Sequence, residues 1–134
     1  MKNVIAVVPA RGGSKGIKRK NIRKLGNKPL LYHIIDTLLK SKGVDQVIVS
    51  SEDEEIRKIC SKYGNKIEIL TRPLNLAKDS TPLTSVVKYV SEKVYKRYKQ
   101  NIVLQVAPTC PFIKVETIDK VIKLISKKNN DCVV

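Results

Sequence analysis

The sequence predicts an α/β protein in which a mostly parallel sheet lies between layers of helices. Short apolar runs of strand length alternate with longer segments whose apolar residues recur at helical spacing. The first run, residues 4–8, is continuous and rich in β-branched residues, which predicts a central strand buried on both faces. A basic loop with three glycines follows it directly, at the edge of the sheet where α/β proteins bind ligands. Of the 134 residues, 42% are hydrophobic, which suffices for the core of one globular domain.

Proline and glycine mark the ends of the other predicted elements. Gly26 and Asn27 predict a turn, and Pro29 suits the first position of a helix because its missing N–H would be unpaired there. Gly43 and Gly64 suit helix ends. In chain order, the expected elements are a helix from Pro29 to near Gly43, a strand at 47–49, a helix at 52–63, a strand at 67–70, a helix from Thr81 to beyond Val90, a strand at 102–104, a helix at 115–125 and the opening of a fifth strand at 131–134.

The charge balance predicts an anionic ligand. The chain has 27 Lys and Arg against 12 Asp and Glu, a net charge of +15 that attracts nucleotides, nucleic acids and acidic membrane surfaces alike. No acidic residue interrupts the eight cations between residues 11 and 28, which are Arg11, Lys15, Lys18, Arg19, Lys20, Arg23, Lys24 and Lys28. Such a cluster repels itself unless an anion binds it, and the loop glycines let main-chain N–H groups approach that anion. We therefore expect a polyphosphate site in preference to a solvated basic loop.

The glycine spacing excludes two common nucleotide motifs. The loop reads R-G-G-S-K-G from Arg11 to Gly16, which is neither GxxxxGK[ST] nor GxGxxG. The sequence thus supports neither a P-loop nor a dinucleotide-binding fold.

Other reactive residue types have simpler interpretations. The three cysteines are far apart and odd in number, which predicts reduced thiols in a cytoplasmic protein with no metal site. Cys110 has no histidine partner, which favours a packed thiol over a nucleophile, and His33 is expected to be solvated on the polar face of its helix. Glu52 to Glu55 are expected in the first turn of a helix, where they complement its dipole. No apolar stretch is long enough to span a bilayer, so no membrane partner is expected.

Four segments resemble the acylneuraminate cytidylyltransferases, the CMP-N-acetylneuraminic acid synthetase family, which is related to the CMP-Kdo synthetases. The first is PARGGSKGIKRKNI at 9–22, followed by GNKPLL. VSSEDEEI at 49–56, RPLNLAKDST at 72–81 and LQVAPTCPF at 104–112 are similar to later family blocks. The resemblance implies a three-layer, Rossmann-like nucleotidyltransferase fold of the nucleotide-diphospho-sugar transferase type. It also implies that residues 1–134 are the nucleotide-binding part of the family domain, truncated before its C-terminal part.

The reaction that the resemblance implies is transfer of CMP from CTP to an acidic nine-carbon sugar, with release of pyrophosphate and assistance from Mg²⁺. Matched by position, Arg11, Lys15 and Lys20 are the catalytic residues that hold the triphosphate. The implied nucleotide-binding residues are Ala10, Gly12, Gly13, Ser14, Asn21, Arg72, Ser80 and Thr81. The implied sugar-binding residues are Gln105, Thr109 and Pro111, although the interval from Gln105 to Thr109 is two residues longer than in the family block.

Several expectations follow for the chain by itself. The family's metal-binding aspartates and dimerising insertion lie beyond the matched part, so residues 1–134 are expected to bind nucleotide with little turnover. A homodimer is expected only of a full-length form. Two alternatives remain open, a basic nucleic-acid-binding module and a noncatalytic remnant of the fold. The low aromatic content of 4%, with no Trp, argues against a platform on which nucleic-acid bases could stack.

Overall fold

A computed structural model describes residues 3–97 and 101–127. Its strands are β1 (Asn3–Pro9), β2 (Lys24–Leu25), β3 (Lys28–Pro29), β4 (Gln46–Ser51), β5 (Glu68–Thr71) and β6 (Asn101–Gln105). Its α-helices are α1 (Leu30–Lys40), α2 (Glu54–Cys60), α3 (Leu83–Tyr95) and α4 (Val115–Ser126). Short 3₁₀ segments occupy Lys20–Ile22, Ser61–Lys66 and Leu74–Leu76.

Four of the strands form one parallel sheet in the order β5-β4-β1-β6. The central position of β1 is confirmed, because it pairs with β4 on one side and with β6 on the other. Alternate β1 side chains enter opposite cores: Val4, Ala6 and Val8 on one face, and Ile5 and Val7 on the other. The continuous apolar run is therefore explained by burial of both faces of the strand.

Helices cover both faces of this sheet. Residues of α1, α2 and α4 fill the larger core, whereas Val90 and Val94 of α3 pack against the opposite face. The predicted three-layer α/β architecture is thus confirmed. Among the described residues, no helix is long and apolar enough to span a bilayer.

A small antiparallel hairpin, formed by β2 and β3, was not predicted. Gly26 has a φ of +67° in its two-residue turn, a conformation that favours glycine. The prediction of Pro29 as the first helical residue was wrong: it pairs with Lys24, and its φ and ψ of −52° and 144° are extended. These strands are too short to show the alternation by which strands are recognised in a sequence.

The other differences concern element ends. The predicted helix at 52–63 is shorter in the structure, because α2 begins at Glu54, ends at Cys60 and continues as a 3₁₀ segment. The helix expected from Thr81 begins at Leu83, after an extended Pro82. The strands expected at 47–49, 67–70 and 102–104 are present. The predicted fifth strand at 131–134 lies outside the described residues.

The strand order creates a crevice at one end of the sheet. The chain proceeds from β1 to β4 and β5 on one side and then returns to β6 on the other side of β1. Because β1 and β6 are neighbours, the loops that follow them begin side by side and then separate. This place is the switch point of the strand order, where open α/β sheets bind their ligands.

Candidate functional site

A cavity of about 210 Å³ lies at the carboxyl ends of β1 and β6, at this switch point. Four separate parts of the chain form its wall: the loop after β1, the segment after β5, the start of α3 and the loop after β6. The lining residues are Pro9, Arg11, Gly13, Ser14, Lys20, Asn21, Arg72, Leu76, Lys78, Asp79, Thr81, Leu83, Val86, Ala107, Pro108 and Thr109.

The structure brings many of the predicted site residues together around this cavity. Those that line it are Arg11, Gly13, Ser14, Lys20, Asn21, Arg72, Thr81 and Thr109. Ala10 and Gly12 are buried and adjoin the lining residue Arg11 in the chain. Four others are not among its lining residues, namely Lys15, Ser80, Gln105 and Pro111. Gln105 is the last residue of β6 and is exposed to solvent.

The turn out of β1 is held by the segment that follows β4. The backbone N–H of Gly12 donates a 2.6 Å hydrogen bond to Glu52 Oε1. The Gly12 backbone also lies so close to Asp53 that an added Cβ would come within 2.9 Å of the Cβ of Asp53. Only glycine allows this approach, which brings the loop and the acidic segment into direct contact.

The interpretation of Glu52 as a first-turn acid was wrong, because α2 begins two residues later. Its Oε2 is buried and has no hydrogen-bond partner among the described residues. Asp53 is the N-cap of α2 and accepts a 2.9 Å hydrogen bond from the Ile56 N–H. Glu54 and Glu55 do occupy the first turn, where carboxylates complement the helix dipole.

The basic loop is anchored at Arg19. This residue adopts the left-handed conformation, with a φ of 55°, and its guanidinium donates to both carboxylate oxygens of Asp53, at 2.5 and 3.0 Å, and to Glu55 at 2.6 Å. The hydrogen bonds from Arg19 lower the pKa of Asp53, and the same pairing raises the pKa of Arg19. Arg19 therefore anchors the loop to α2 and is not among the residues that line the cavity.

Lys20 and Asn21 follow that anchor and line the cavity. The Asn21 side chain is buried, and its Nδ2 donates a 3.0 Å hydrogen bond to the Arg11 carbonyl. This contact ties the two ends of the loop together. Lys20 is half-buried, and in the described part of the chain no carboxylate lies within ion-pair distance of it.

Arg72 is a buried cation in the cavity wall, with only 4% of its surface exposed. Its Nη2 donates to the Ser50 carbonyl at 3.1 Å and its Nε to the Ser50 hydroxyl at 3.4 Å. Burial lowers the pKa of Arg72, and the nearby Glu52 opposes that effect. Because no carboxylate within the described ranges pairs with it, Arg72 offers a poorly solvated positive charge to an anion in the cavity.

The self-repulsion expected of the eight loop cations is partly relieved by acids from elsewhere in the chain. Acids from distant parts of the sequence pair with four of the eight: Asp79 with Arg11 and Lys15, Asp53 and Glu55 with Arg19, and Asp36 with Lys28. The fold thus relieves part of the repulsion that the local sequence suggested. Lys20 and the buried Arg72 keep their charge facing the cavity, so the lining remains cationic.

Two single residues also differ from expectation. His33 is half-buried, and its Nε2 lies 2.8 Å from the Leu25 carbonyl, so it fixes the hairpin to α1 instead of being solvated. Cys110 is exposed, and the prediction of a packed thiol was wrong. Sequence reasoning also missed Asp79, because its partner Arg11 lies 68 residues away and no local pattern links them.

Comparison with known proteins identifies the family to which this chain is similar. The cytidylyltransferase family model matches residues 5–134. The N-acylneuraminate cytidylyltransferase of Escherichia coli O18:K1:H7 is 36% identical over 121 residues, which are 90% of this chain and 28% of that protein. The pseudaminic acid cytidylyltransferase of Campylobacter jejuni is 45% identical over 92 residues, or 69% and 39% of the two chains. The CMP-N,N'-diacetyllegionaminic acid synthase of Legionella pneumophila is 34% identical over 125 residues, or 90% and 52%.

The chain therefore spans about half the length of these curated relatives, or less. Among solved structures, CMP:2-keto-3-deoxy-manno-octonic acid synthetase complexed with CTP is similar with a TM-score of 0.72 and 19% identity, covering 92% of this chain and 47% of that one. A 4-diphosphocytidyl-2C-methyl-D-erythritol synthase has a TM-score of 0.75 and 15% identity, with coverages of 95% and 56%. Identities this low show the fold alone, and they confirm the predicted nucleotidyltransferase fold.

Proposed function

This chain belongs to the cytidylyltransferase family, and we propose that it forms the nucleotide-binding part of an enzyme that transfers CMP from CTP to an acidic nine-carbon sugar, releasing pyrophosphate. The resemblance stated from four sequence segments is confirmed at the level of the family. The observation that carries the proposal is the cationic cavity at the switch point, where Arg11, Lys20 and Arg72 come from separate parts of the chain.

The cavity suits a triphosphate for electrostatic reasons. Phosphoryl transfer depends mainly on positioning the phosphates and on neutralising the charge that develops during the reaction. Lys20 and Arg72 provide positive charge, and neither forms an ion pair with a carboxylate of the described residues. The exposed Gly13 brings main chain to the same wall. We assign Arg11, Lys15 and Lys20 to the triphosphate, with Lys15 at the rim of the cavity because its side chain is 79% exposed.

The nucleoside is proposed to contact the loop backbone and the segment after β5. Thr81 lines the cavity beside Arg72, and Ser80 precedes it at the surface. The N–H of Gly12 already donates to Glu52, so Gly12 can contact cytosine only through its carbonyl. The neighbouring Ala10 N–H donates to the Ser50 carbonyl at 2.9 Å, which leaves its carbonyl for the same role.

The sugar is proposed to lie beside the loop after β6. Thr109 lines the cavity there, together with Ala107 and Pro108. Gln105 and Pro111 flank this loop, and their proposed contacts with the sugar require it to extend beyond the described cavity. The relatives are named for acylneuraminic, pseudaminic and legionaminic acids, which supports an acidic nine-carbon sugar as the substrate class.

Magnesium is the cofactor that the family resemblance implies, but the described residues do not fit it as a resident ion. Within these residues no three His, Cys, Asp or Glu side chains are grouped as metal ligands. Asp79, a carboxylate in the cavity wall, already pairs with Arg11 and Lys15. Hard divalent cations require carboxylate oxygens that are free to coordinate, and among the described residues the cavity wall offers none.

For the same reason we propose that the 134-residue chain binds CTP but turns it over slowly. Pyrophosphate release from CTP, N-acetylneuraminate and Mg²⁺ should be at least a thousandfold slower than that of a full-length relative. The described residues offer no group of carboxylates that would hold the cation against the phosphates, and each 1.36 kcal/mol of transition-state stabilisation that is missing lowers the rate about tenfold. A rate within tenfold of the control would contradict this. A cytoplasmic location, and a homodimer only in a full-length form, remain further proposals.

A nucleic-acid-binding module would use the same cations, so the experiment must separate the two ligands. Calorimetric titration at 0.15 M salt with CTP, UTP and a random single-stranded oligonucleotide should show saturable binding of CTP and weaker, strongly salt-dependent binding of the oligonucleotide. None of the described residues that line the cavity is aromatic, which disfavours base stacking along a strand. Tight oligonucleotide binding without a preference for CTP would reject the proposal. A noncatalytic remnant would bind neither nucleotide selectively.

A further inference from the structure

Asp79 places a negative charge in the cavity that is proposed to bind phosphates. It lies between β5 and α3 and lines the cavity with Arg11. Its carboxylate forms an ion pair with Arg11 through one oxygen and lies 3.7 Å from Lys15 Nζ through the other. Asp79 thus pairs with two of the three cations that are assigned to the triphosphate.

The ion pairs of this carboxylate are expected to add little to the stability of the fold. The side chains of Arg11, Lys15 and Asp79 are 31%, 79% and 45% exposed, so water solvates all three. Ion pairs with this exposure contribute little to stability. An acid that repels phosphate and adds little to the fold therefore invites an explanation at the level of ligand binding.

We propose that Asp79 competes with polyphosphate for Arg11 and Lys15 and thereby limits how tightly the site holds phosphate chains. A triphosphate or pyrophosphate displaces it, because several charged oxygens on one chain meet both cations at once, with a larger total charge than one carboxylate. When pyrophosphate leaves, Asp79 pairs with the same cations again, which favours release of the product. This inference rests on the proposed function, since it takes the cavity to be a phosphate site.

The test compares Asp79→Asn with Glu92→Gln in the full chain. Glu92 is an exposed acid on α3 that pairs with Lys88, and its replacement changes the net charge by the same amount. Affinities for CTP, pyrophosphate and cytidine are measured by calorimetry at low salt. Asp79→Asn should bind CTP and pyrophosphate about two- to tenfold more tightly, as expected for the release of two exposed ion pairs, with the gain reduced at 0.5 M salt. Cytidine has no phosphate, and its affinity should not change.

Three outcomes would overturn the inference. Unchanged or weaker CTP binding by Asp79→Asn would mean that Asp79 does not compete, or that it positions Arg11 for the ligand. An equal gain in Glu92→Gln would mean that binding follows net charge. An equal gain for cytidine would mean that phosphate is not involved. If Asp79→Asn does not fold, Asp79→Ser gives the same comparison.

The pyrophosphate measurement separates this inference from the proposed function. If the wild-type chain binds pyrophosphate but shows no preference for CTP over UTP, the cytidylyltransferase assignment is rejected. The effect of Asp79→Asn on pyrophosphate affinity would still test the competition. If neither the wild type nor Asp79→Asn binds CTP or pyrophosphate, the proposed function and the competition by Asp79 are both rejected. Binding of pyrophosphate by Asp79→Asn alone would support the competition.

Discussion

The Gly12 N–H and the Glu52 carboxylate are joined by a hydrogen bond of 2.6 Å, and this bond links the two loops that leave the central strands of the sheet. Gly12 follows β1 and Glu52 follows β4. The next residue, Asp53, caps α2 and binds Arg19, so the acidic segment holds both the beginning and the middle of the basic loop. The loop that carries most of the proposed phosphate ligands is therefore positioned before any ligand binds.

Substitution of Gly12 by alanine should disturb this junction. The added Cβ would lie within 2.9 Å of the Cβ of Asp53, where backbone movement is needed to make room. We expect Gly12→Ala to lower the free energy of unfolding by about 1–3 kcal/mol, the usual range for overpacking. Urea denaturation without nucleotide provides the measurement.

Gly13→Ala is the matched control, because among the described residues, apart from its neighbours in sequence, no atom lies within 4 Å of a Cβ added at Gly13. Its stability should stay within about 0.5 kcal/mol of the wild type, as for most surface substitutions. Equal losses in the two variants would show that the contact between Gly12 and Asp53 is not what requires glycine.

The pairing of Arg19 with Asp53 should make stability depend on pH at the acidic end. Its hydrogen bonds hold the pKa of Asp53 below the ordinary value, so this stabilisation is present in full above the unfolded-state pKa of about 3.9 and is lost as pH falls through the folded-state pKa. Asp53→Asn keeps an N-cap side chain and removes the ion pair. We expect it to cost about 1 kcal/mol at pH 6, with the difference becoming smaller as pH falls below the unfolded-state pKa.

Unfolding curves of both proteins between pH 2 and 7 measure this difference. Glu116→Gln serves as the control, since Glu116 is exposed and forms no ion pair within the described residues. A stability difference between wild type and Asp53→Asn that is constant over this range would show that the pair does not couple folding to protonation.

The large elements of the fold were predictable because each carries a local pattern. The apolar run of β1 reflects burial on both faces, and the apolar spacing of α1 reflects one buried stripe facing the sheet. The β2–β3 hairpin was not recognised, because each strand has two residues and one of them is Pro29. Its position depends on a contact with His33, which no pattern within the hairpin encodes.

Residues of the candidate site could be predicted only where they are neighbours in the sequence. The loop from Arg11 to Asn21 stood out because its charges and glycines are adjacent in sequence. The acids that pair with those cations, Asp53 and Asp79, come from segments that the parallel sheet brings to the same edge. Their partners could be identified only after the strand order was known, and this is why the local sequence exaggerated the repulsion in the loop.

Lys20 should contribute more to CTP binding than a neighbouring lysine does. It lines the cavity with no carboxylate partner among the described residues, so its charge is directed to the ligand. Lys20→Met should weaken CTP binding by about 1.5–3 kcal/mol, the range for a hydrogen bond to a charged group. Lys24→Met is the control, because Lys24 is exposed in β2, within the same basic segment, and does not line the cavity. Equal losses in calorimetric titration would indicate that binding follows the charge of the whole loop.

Arg72 should matter more for CTP binding than for the stability of the fold. Burying its guanidinium without a carboxylate partner costs solvation energy, as the lowered pKa of Arg72 indicates. In Arg72→Met the Ser50 carbonyl keeps the hydrogen bond from the Ala10 N–H, so it is not left unpaired. We expect the free energy of unfolding to change by no more than about 2 kcal/mol, because relief of the buried guanidinium is offset by the loss of its attraction to Glu52.

CTP binding by the same variant should weaken by about 1.5–3 kcal/mol, since the cavity loses a charge that water screens poorly. Arg57→Met is the matched control: Arg57 also donates to a β4 carbonyl, that of Ser51 at 3.2 Å, but does not line the cavity. Its CTP affinity should equal that of the wild type. Urea denaturation measures the stability of both variants, and calorimetry measures their affinity for CTP. A large loss of stability in Arg72→Met with unchanged CTP affinity would make Arg72 a structural residue and would remove it from the proposed site.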